Sequence, residues 1–523
     1  MSPFEALKSD QMPHNGACFG HHDRPVDIML LLEGTYPFVS GGVSSWVHQI
    51  INGFPQFNFG GIFLGSVGSD YHGLRYTLPD NFVYLKVVYL FDQLDKPPVE
   101  EQVMTLATQQ HVRQMHQCFK QNQDSQQMLQ QVNHLLDTAL DKQAITLPIF
   151  LHSQGAWNII TDNYRHHSTD PSFVDYFWSV RGMHSPIWIL NQLSAEIVPA
   201  KMFHAISTGY AGFLGTLLSH RQNKPLLISE HGIYTKERKI DLYQADWIKD
   251  NRDFFQRDHK ELGYFKEMWI RFFEVLAKLS YEKAYAIISL YEANRQRQIV
   301  DGAMEAKTQT IPNGIDLPKF AAQRYKRPNK LINVACLIGR VVPIKDIKTF
   351  IRAMRLVVNR IPDAEGWIAG PEEEDKAYAQ ECRQLVQSLG LTDRVKFLGF
   401  QKIDQLLPQV GITVLSSISE ALPLVILEGY AVGVPTVTTD VGSCRQLVYG
   451  YSEEDKLLGA AGCVVRIADP EAMSQAICSL LTDEIAWKSA SRAAIARVEK
   501  YYTQTLMFDL YQQRYNEGLT WQE

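Results

Sequence analysis

Two carboxylates eight positions apart, Glu420 and Glu428, stand on either side of Pro423 in residues 411–442, GITVLSSISEALPLVILEGYAVGVPTVTTDVG. Ionised carboxylates accept hydrogen bonds of the kind sugar hydroxyls donate. If a helix begins behind Pro423, the backbone N–H groups of Leu424 and Val425 are free, and a helix N-terminus favours anions. Together these parts suit an activated sugar, with hydroxyls on the acids and phosphates on the N–H groups. Arg340 and Lys345 follow an apolar run at 331–338, where two cations are placed to neutralise a diphosphate. Taken singly, such a pair of cations suits an ordinary surface loop, and two such acids suit a solvated helix. Their occurrence on one sheet points to chemistry.

His204 and His231 each close an apolar run. A lone strand-end histidine is commonly a structural hydrogen-bonding residue. Two of them near the glycine turn Gly41-Gly42 open the alternative of contacts to a reacting group. His152, in the segment HSQGAW, carries the same two readings. The acidic run at 372–375 reads as an exposed helix start, and no metal-ligating set is expected.

The elements that must hold these residues follow from hydrophobic patterning. Residues 412–417 and 435–440 read as buried parallel strands around a helix at 424–431, which Gly433 and Pro435 stop. Upstream, the run from Val26 through Glu33, the glycine turn and a helix at 43–51 follow the same order. Strand, glycine turn and helix make a doubly wound sheet, with ligands at the carboxyl ends of its strands. Further strands are expected at 62–66, 82–88, 201–206, 225–229 and 285–290. A second series runs through 331–338, 366–369, 395–399 and 463–467. Residues 240–284 form an amphipathic helical stretch. The fold class is α/β, with two Rossmann-like doubly wound domains facing across a cleft. Boundaries are expected at 1–24 for a loose arm, 25–318 for the first domain, 319–500 for the second and 501–523 for a last helix packing back on the first. A helical insertion occupies about 90–200 of the first domain.

At 523 residues the chain exceeds one core. A formal charge of −6, with no basic stripe, argues against nucleic-acid binding. No apolar run nears the roughly 18 residues of a membrane helix, and the N-terminus lacks a signal-peptide layout. Seven scattered cysteines, never at metal spacing, fit a reducing cytoplasm.

With these residues in place, the sequence resembles the retaining, GT-B glycosyltransferases of family 4. The resemblance rests on Gly41-Gly42, Glu230-His231-Gly232, Ser289, Pro312-Asn313-Gly314-Ile315-Asp316, Gly339-Arg340 with Lys345, Phe397-Leu398-Gly399, and Ser419-Glu420 through Glu428 to Asp440-Val441-Gly442. More narrowly, EGTYPFVSGGVSSW from Glu33 and SEHGIY from Ser229 resemble the cytoplasmic glycosyltransferases of bacterial Pel exopolysaccharide synthesis, which belong to biofilm formation. The chain departs from the family at Ser443-Cys444-Arg445-Gln446, where an acid is common, and at Ala421-Leu422, where a glycine is.

The resemblance implies a metal-independent hexosyltransferase with a UDP-sugar donor and no cofactor. His231, Arg340, Lys345 and Glu420 would be catalytic. Gly42, Arg340, Lys345, Gly399, Glu420, Leu424, Val425 and Glu428 would bind the donor, Glu420 at the sugar and Glu428 at the ribose. It further implies a polysaccharide acceptor and membership of an inner-membrane Pel-type synthase and export assembly. Two other readings stay open: a nucleotide-sugar epimerase or phosphorylase on the same fold, and a nucleotide-sugar-binding scaffold.

Overall fold

In the computed structural model the apolar runs become strands of two separate sheets, each in its own compact unit. The structure describes residues 4, 7, 12–20, 24–92, 103–120, 125–138, 146–252, 262–328 and 330–521. One unit gathers the chain up to Ser289 with residues 294–309 and those from Gln512 onward; the other holds 290–293 and 310–511.

The first unit's sheet contains β1 (Cys18–Gly20), β2 (Val26–Glu33), β3 (Phe59–Gly65), β4 (Phe82–Tyr89), β5 (Ala200–Ala205), β6 (Leu226–Glu230), β7 (Ala286–Ser289) and β8 (Thr308–Thr310). Their spatial order is β1-β4-β3-β2-β5-β6-β7-β8. Strands β2 to β7 run parallel. Such strands are covered on both faces, which is why MLLL in β2 and FGGIFLG in β3 are continuously buried rather than alternating. Strand β1 pairs antiparallel with β4, Cys18 opposite Lys86. This corrects part of the expected loose arm: backbone pairing at a sheet edge needs no apolar side chains, so composition did not reveal it. Most of the remaining arm, like residues 93–102 of the insertion, lies outside the described residues.

Between β4 and β5, five helices are seen among the described residues: Leu106–Lys120, Ser125–Thr138, Leu147–His152, Gln154–His167 and Phe173–Glu196. Three start on side-chain caps: Thr146 accepts from the Ile149 N–H, Ser153 from Ala156 and Ser172 from Asp175. Each cap satisfies a backbone donor that the helix cannot. Trp188 and Phe150 bring this insertion into the first unit's core.

The second unit's sheet contains β9 (Val334–Ile338), β10 (Glu365–Ala369), β11 (Val395–Gly399), β12 (Ile412–Leu415), β13 (Thr436–Thr439) and β14 (Gly462–Val465), all parallel, in the order β11-β10-β9-β12-β13-β14. Counted from β2 in the first sheet and from β9 in the second, both orders read third, second, first, fourth, fifth, sixth. Each sheet therefore reverses direction once, between β2 and β5 and between β9 and β12. A crevice for ligands opens at the carboxyl ends of those strand pairs.

The backbone leaves β12 two residues sooner than hydrophobicity suggests. Ser416 and Ser417 are buried but already spent on side-chain hydrogen bonds in the turn. Behind β13 and β14, the fully buried Arg497 donates to Asp455 Oδ1 at 2.6 Å and to the carbonyls of Val448, Asp455 and Gly459 at 2.9 Å. Asp455→Ala leaves a buried guanidinium without its counter-charge. It should cost about 3–5 kcal/mol and lower the melting temperature on the order of 10 °C in a thermal scan. A loss under about 2 °C would show the ion pair to be dispensable.

Candidate functional site

At the reversal of the second sheet, β9 leads into Gly339 and Arg340 and the chain turns through Pro343–Lys345. Asp346, left-handed at φ 43°, accepts from the Thr349 N–H and starts the helix Ile347–Arg360. The loop after β12 is tied to this turn. Ser416 Oγ donates to the Lys345 carbonyl at 2.8 Å, and the Ile418 N–H to the Ile344 carbonyl at 2.9 Å. Those bonds bring Lys345 Nζ to 2.5 Å from Glu420 Oε1, an oxygen that also accepts from Ser417 Oγ at 2.6 Å. Gly442 holds the loop from the far side. Its φ is +52°, and a Cβ there would lie 2.2 Å from the Glu420 carbonyl oxygen, so only glycine fits.

Next to this pair, a cavity of about 590 Å³ is lined by Gly339, Arg340, Gly370, Lys319, Asp404 and Glu428 among others. Arg340 is half exposed, and its Nη1 donates to both carboxylate oxygens of Glu374 at 2.6 and 2.7 Å. An exposed pair is worth only about 0–1 kcal/mol, so an incoming anion can exchange for the carboxylate. Glu428 projects from the helix Leu424–Val432, whose start at Pro423 carries no side-chain cap. The first-turn N–H groups of Leu424 and Val425 are thus left to a ligand or solvent. Among the described residues, Glu428 has neither a hydrogen-bond nor an ion-pair partner. Burial pushes its carboxyl up to about 7, opposed by Lys319 and reinforced by Asp404. Gly399 ends β11 with φ +62° and its carbonyl accepts from the Gly370 N–H at 2.8 Å. It shapes the chain there and is not among the residues lining the cavity. The acidic run places Asp375 as the cap of the helix Lys376–Ser388, with Glu374 on Arg340 and Glu372 on Arg383.

The first unit carries its own cavity, about 380 Å³, at the ends of β2, β5 and β6. Glu33 closes β2. It accepts from Tyr234 Oη at 2.7 Å, the Ala211 N–H at 3.1 Å and Ser207 Oγ at 3.2 Å. Arg238, one helical turn beyond Tyr234, donates to Tyr234 Oη at 3.0 Å and lies over its ring. Glu230, buried, accepts from Thr208, Tyr281, Gln298 and the Tyr234 N–H, and burial raises its carboxyl above the usual range. This bonding fixes the turn after β6 and so aims His231. The His231 ring lies edge-on to Trp46 at 4.6 Å, is 8% exposed, and lines the cavity with an Nε2 that has no hydrogen-bond partner among the described residues. Burial lowers its imidazole to about 4, so it is neutral at pH 7 and acts there as a hydrogen-bonding group rather than a cation.

The two strand-end histidines therefore differ. His204 is completely buried, with Nδ1 on Tyr515 Oη at 3.0 Å and Nε2 on Ser229 Oγ at 2.8 Å, a structural arrangement. His152 ends the helix Leu147–His152 at the surface. Gly42 is the first residue of the helix Gly42–Gly53, and a Cβ there would meet nothing within 4 Å. The chain's own packing does not require glycine at that position. Glu33, Tyr234 and Arg238 were not singled out from the sequence. The available signals were an acid at the carboxyl end of the first central strand and a tyrosine and arginine at i, i+4 just behind Glu230-His231-Gly232.

Residues 26–306 match the family described as "Domain of unknown function (DUF3492)", and residues 332–483 match "Glycosyl transferases group 1". Among curated proteins, the chain is 31% identical over 207 residues to the lipopolysaccharide core biosynthesis mannosyltransferase LpsB of Rhizobium meliloti, covering 37% of this chain and 57% of that protein. It is 31% identical over 198 residues to an exopolysaccharide phosphotransferase of Streptomyces coelicolor, covering 37% and 19%. It is 23% identical over 240 residues to a D-inositol 3-phosphate glycosyltransferase of Kribbella flavida, covering 42% and 51%. The matches thus span only 19% to 57% of these relatives' own length. Two solved structures align over nearly the whole chain. The sucrose-phosphate synthase of Thermosynechococcus elongatus does so at 16% identity, a TM-score of 0.53 and 94% and 99% coverage. A glycosyltransferase of Rickettsia africae does so at 14%, 0.52, and 95% and 99%. The fold is GT-B.

The unpartnered Glu428 makes a stability prediction with a definite sign. Its folded carboxyl titrates near 7 against an ordinary 4.5. Between these values the folded state keeps a proton that the unfolded state has released. The stabilisation is therefore complete below the window and lost as pH rises through 7. Glu428→Gln stays neutral, so its melting temperature should gain on the wild type's between about pH 4 and about pH 8. Parallel curves for the two proteins would refute the assignment.

Proposed function

The chain belongs to the DUF3492 family, and from that premise, with a group 1 glycosyltransferase unit behind it, we propose that the protein is a retaining, metal-independent glycosyltransferase of family 4. It moves a hexose-type sugar from a UDP-sugar to a growing exopolysaccharide. The resemblance of its first half to PelF supports a Pel-type product, made in the cytoplasm beside inner-membrane synthase and export proteins. No described helix is long and apolar enough to cross a membrane.

The observation that carries this reading is the Lys345–Glu420 pair at the strand-order reversal of the second sheet, beside a cavity holding Arg340 and Glu428. Lys345 and Arg340 would take the diphosphate, exchanging carboxylate partners for phosphate oxygens. The freed Glu420 would accept from sugar hydroxyls, Glu428 from the ribose, and the N–H groups of Leu424 and Val425 would face the phosphates. In transfer, the bond from the anomeric carbon to the phosphate oxygen breaks and its electron pair stays on the phosphate. Fixed cations stabilise that charge as it develops. The acceptor hydroxyl oxygen attacks the same face and its proton passes to the departing phosphate. Neutral His231 would hydrogen-bond the sugar or its acceptor.

UDP should raise the melting temperature by linkage, and Lys345→Ala should weaken UDP binding by about 10- to 100-fold, the worth of a charged hydrogen bond. Glu420→Ala should reduce sugar turnover more than UDP affinity. Absence of a shift with any nucleoside diphosphate would sink the donor site, and NMR of the product anomer tests retention. Gly42→Ala separates fold from function in the first unit. It should leave the melting temperature unchanged, because the site is open, yet lower turnover by crowding the substrate. Full activity in that variant would remove Gly42 from the site.

A further inference from the structure

A second cavity, about 440 Å³, lies in the first unit among the helices Phe173–Glu196, Tyr234–Gln244 and Tyr264–Lys283 and the segment at 245–249. This size is within the range of small-ligand pockets, about 300–1,000 Å³. It shares Phe91, Tyr210 and Arg238 with the cavity that contains His231, so the two are neighbours across one wall.

Its lining combines features that packing alone does not account for. Trp178 and Trp247 are 57% and 66% exposed, although indole is among the most costly surfaces to leave in water. Trp247 stands edge-on to Trp269 at 5.8 Å. Trp269 is 7% exposed and Tyr210 5%, and among the described residues neither the Trp269 Nε1 nor the Tyr210 hydroxyl has a hydrogen-bond partner. A buried, unpartnered donor costs about 1–3 kcal/mol, which a ligand's hydroxyls would offset. The charged groups at the rim largely cancel. Asp241 is 3.6 Å from Arg238, and Asp175 accepts from Ser172 and Asn251. Lys249 adds one further cation to the lining. A strongly charged ligand is not selected, and a lipid chain would leave the indole and phenol donors unmet. A pyranose ring satisfies both demands, with an apolar face for indole and hydroxyls at its edge for the donors.

We propose that this aromatic cavity is a subsite for the glycan acceptor. It binds pyranose rings of the growing chain behind the terminal sugar, which lies in the His231 cavity. The proposal rests on the transferase reading above.

The test is tryptophan fluorescence and calorimetric titration with hexasaccharides of α-1,4-glucose, β-1,4-glucose, β-1,4-mannose and β-1,4-N-acetylglucosamine, alongside the matching monosaccharides. At least one hexamer should bind saturably and more tightly than its monosaccharide. The double variant Trp178→Ala/Trp247→Ala should weaken it by more than about tenfold, and Trp178→Phe/Trp247→Phe should restore most of the loss. Both tryptophans are exposed, so unliganded melting curves should match. Failure of all four hexamers, or equal binding by the double-alanine variant, overturns the subsite; a UDP-induced melting shift in the same preparation then leaves the transferase reading standing. Glycan binding without any UDP shift overturns the acceptor assignment together with the transferase reading, leaving a glycan-binding module.

Discussion

The arrangement depends on one topological constraint. In both sheets the chain builds outward from a central strand in one direction, then returns and builds in the other. The connections leaving β2 and β5, or β9 and β12, therefore depart to opposite sides, which leaves a crevice at the carboxyl ends between them. The polar groups found there are the ones that could not be placed inside a doubly covered sheet. Glu33 and Ser207 occupy the gap in the first sheet. Gly339, Arg340 and the loop carrying Glu420 occupy it in the second.

In both units, structural and functional polar groups differ in how fully they are bonded. Arg497 is buried with a carboxylate and several carbonyls around it, whereas Arg340 is half exposed on a single exchangeable glutamate. His204 has a partner on each ring nitrogen, while His231 lines its cavity with one nitrogen unpartnered. Glu230 accepts from four groups, but Glu428 is buried without a partner and stays protonated to a higher pH. Saturated groups hold the fold. Unsaturated ones are costly unless a ligand completes them, and His231 and Glu428 are two that line cavities.

Much of the fold was legible because buried parallel strands are written as continuous apolar runs. Strand β11 begins and ends where the sequence placed it, and most others fall within a residue or two. Strands β3 and β9 each begin three residues from the expected start, and two further departures have physical causes. Strand β1 is held by backbone bonds at an edge, and β12 stops early because Ser416 and Ser417 serve the neighbouring loop. Of the candidate site, the cations and acids of the second unit were legible from type and spacing. Glu33, Tyr234 and Arg238 were not, since Glu33 is separated by 201 positions from the tyrosine that donates to it.

The sequence by itself determined that there are two doubly wound α/β units, which glycines and prolines punctuate them, and that Arg340, Lys345, Glu420 and Glu428 belong to one sheet. Those properties reside in local patterning, and local patterning survives without tertiary contacts. Only the tertiary structure decided which of two similar histidines is saturated. It also decided that Lys345 and Glu420 touch, that Glu428 is left without a partner, and that the exposed tryptophans of distant segments line one cavity. Burial and hydrogen-bond partnership are set by residues far apart in the chain, so no window of sequence contains them.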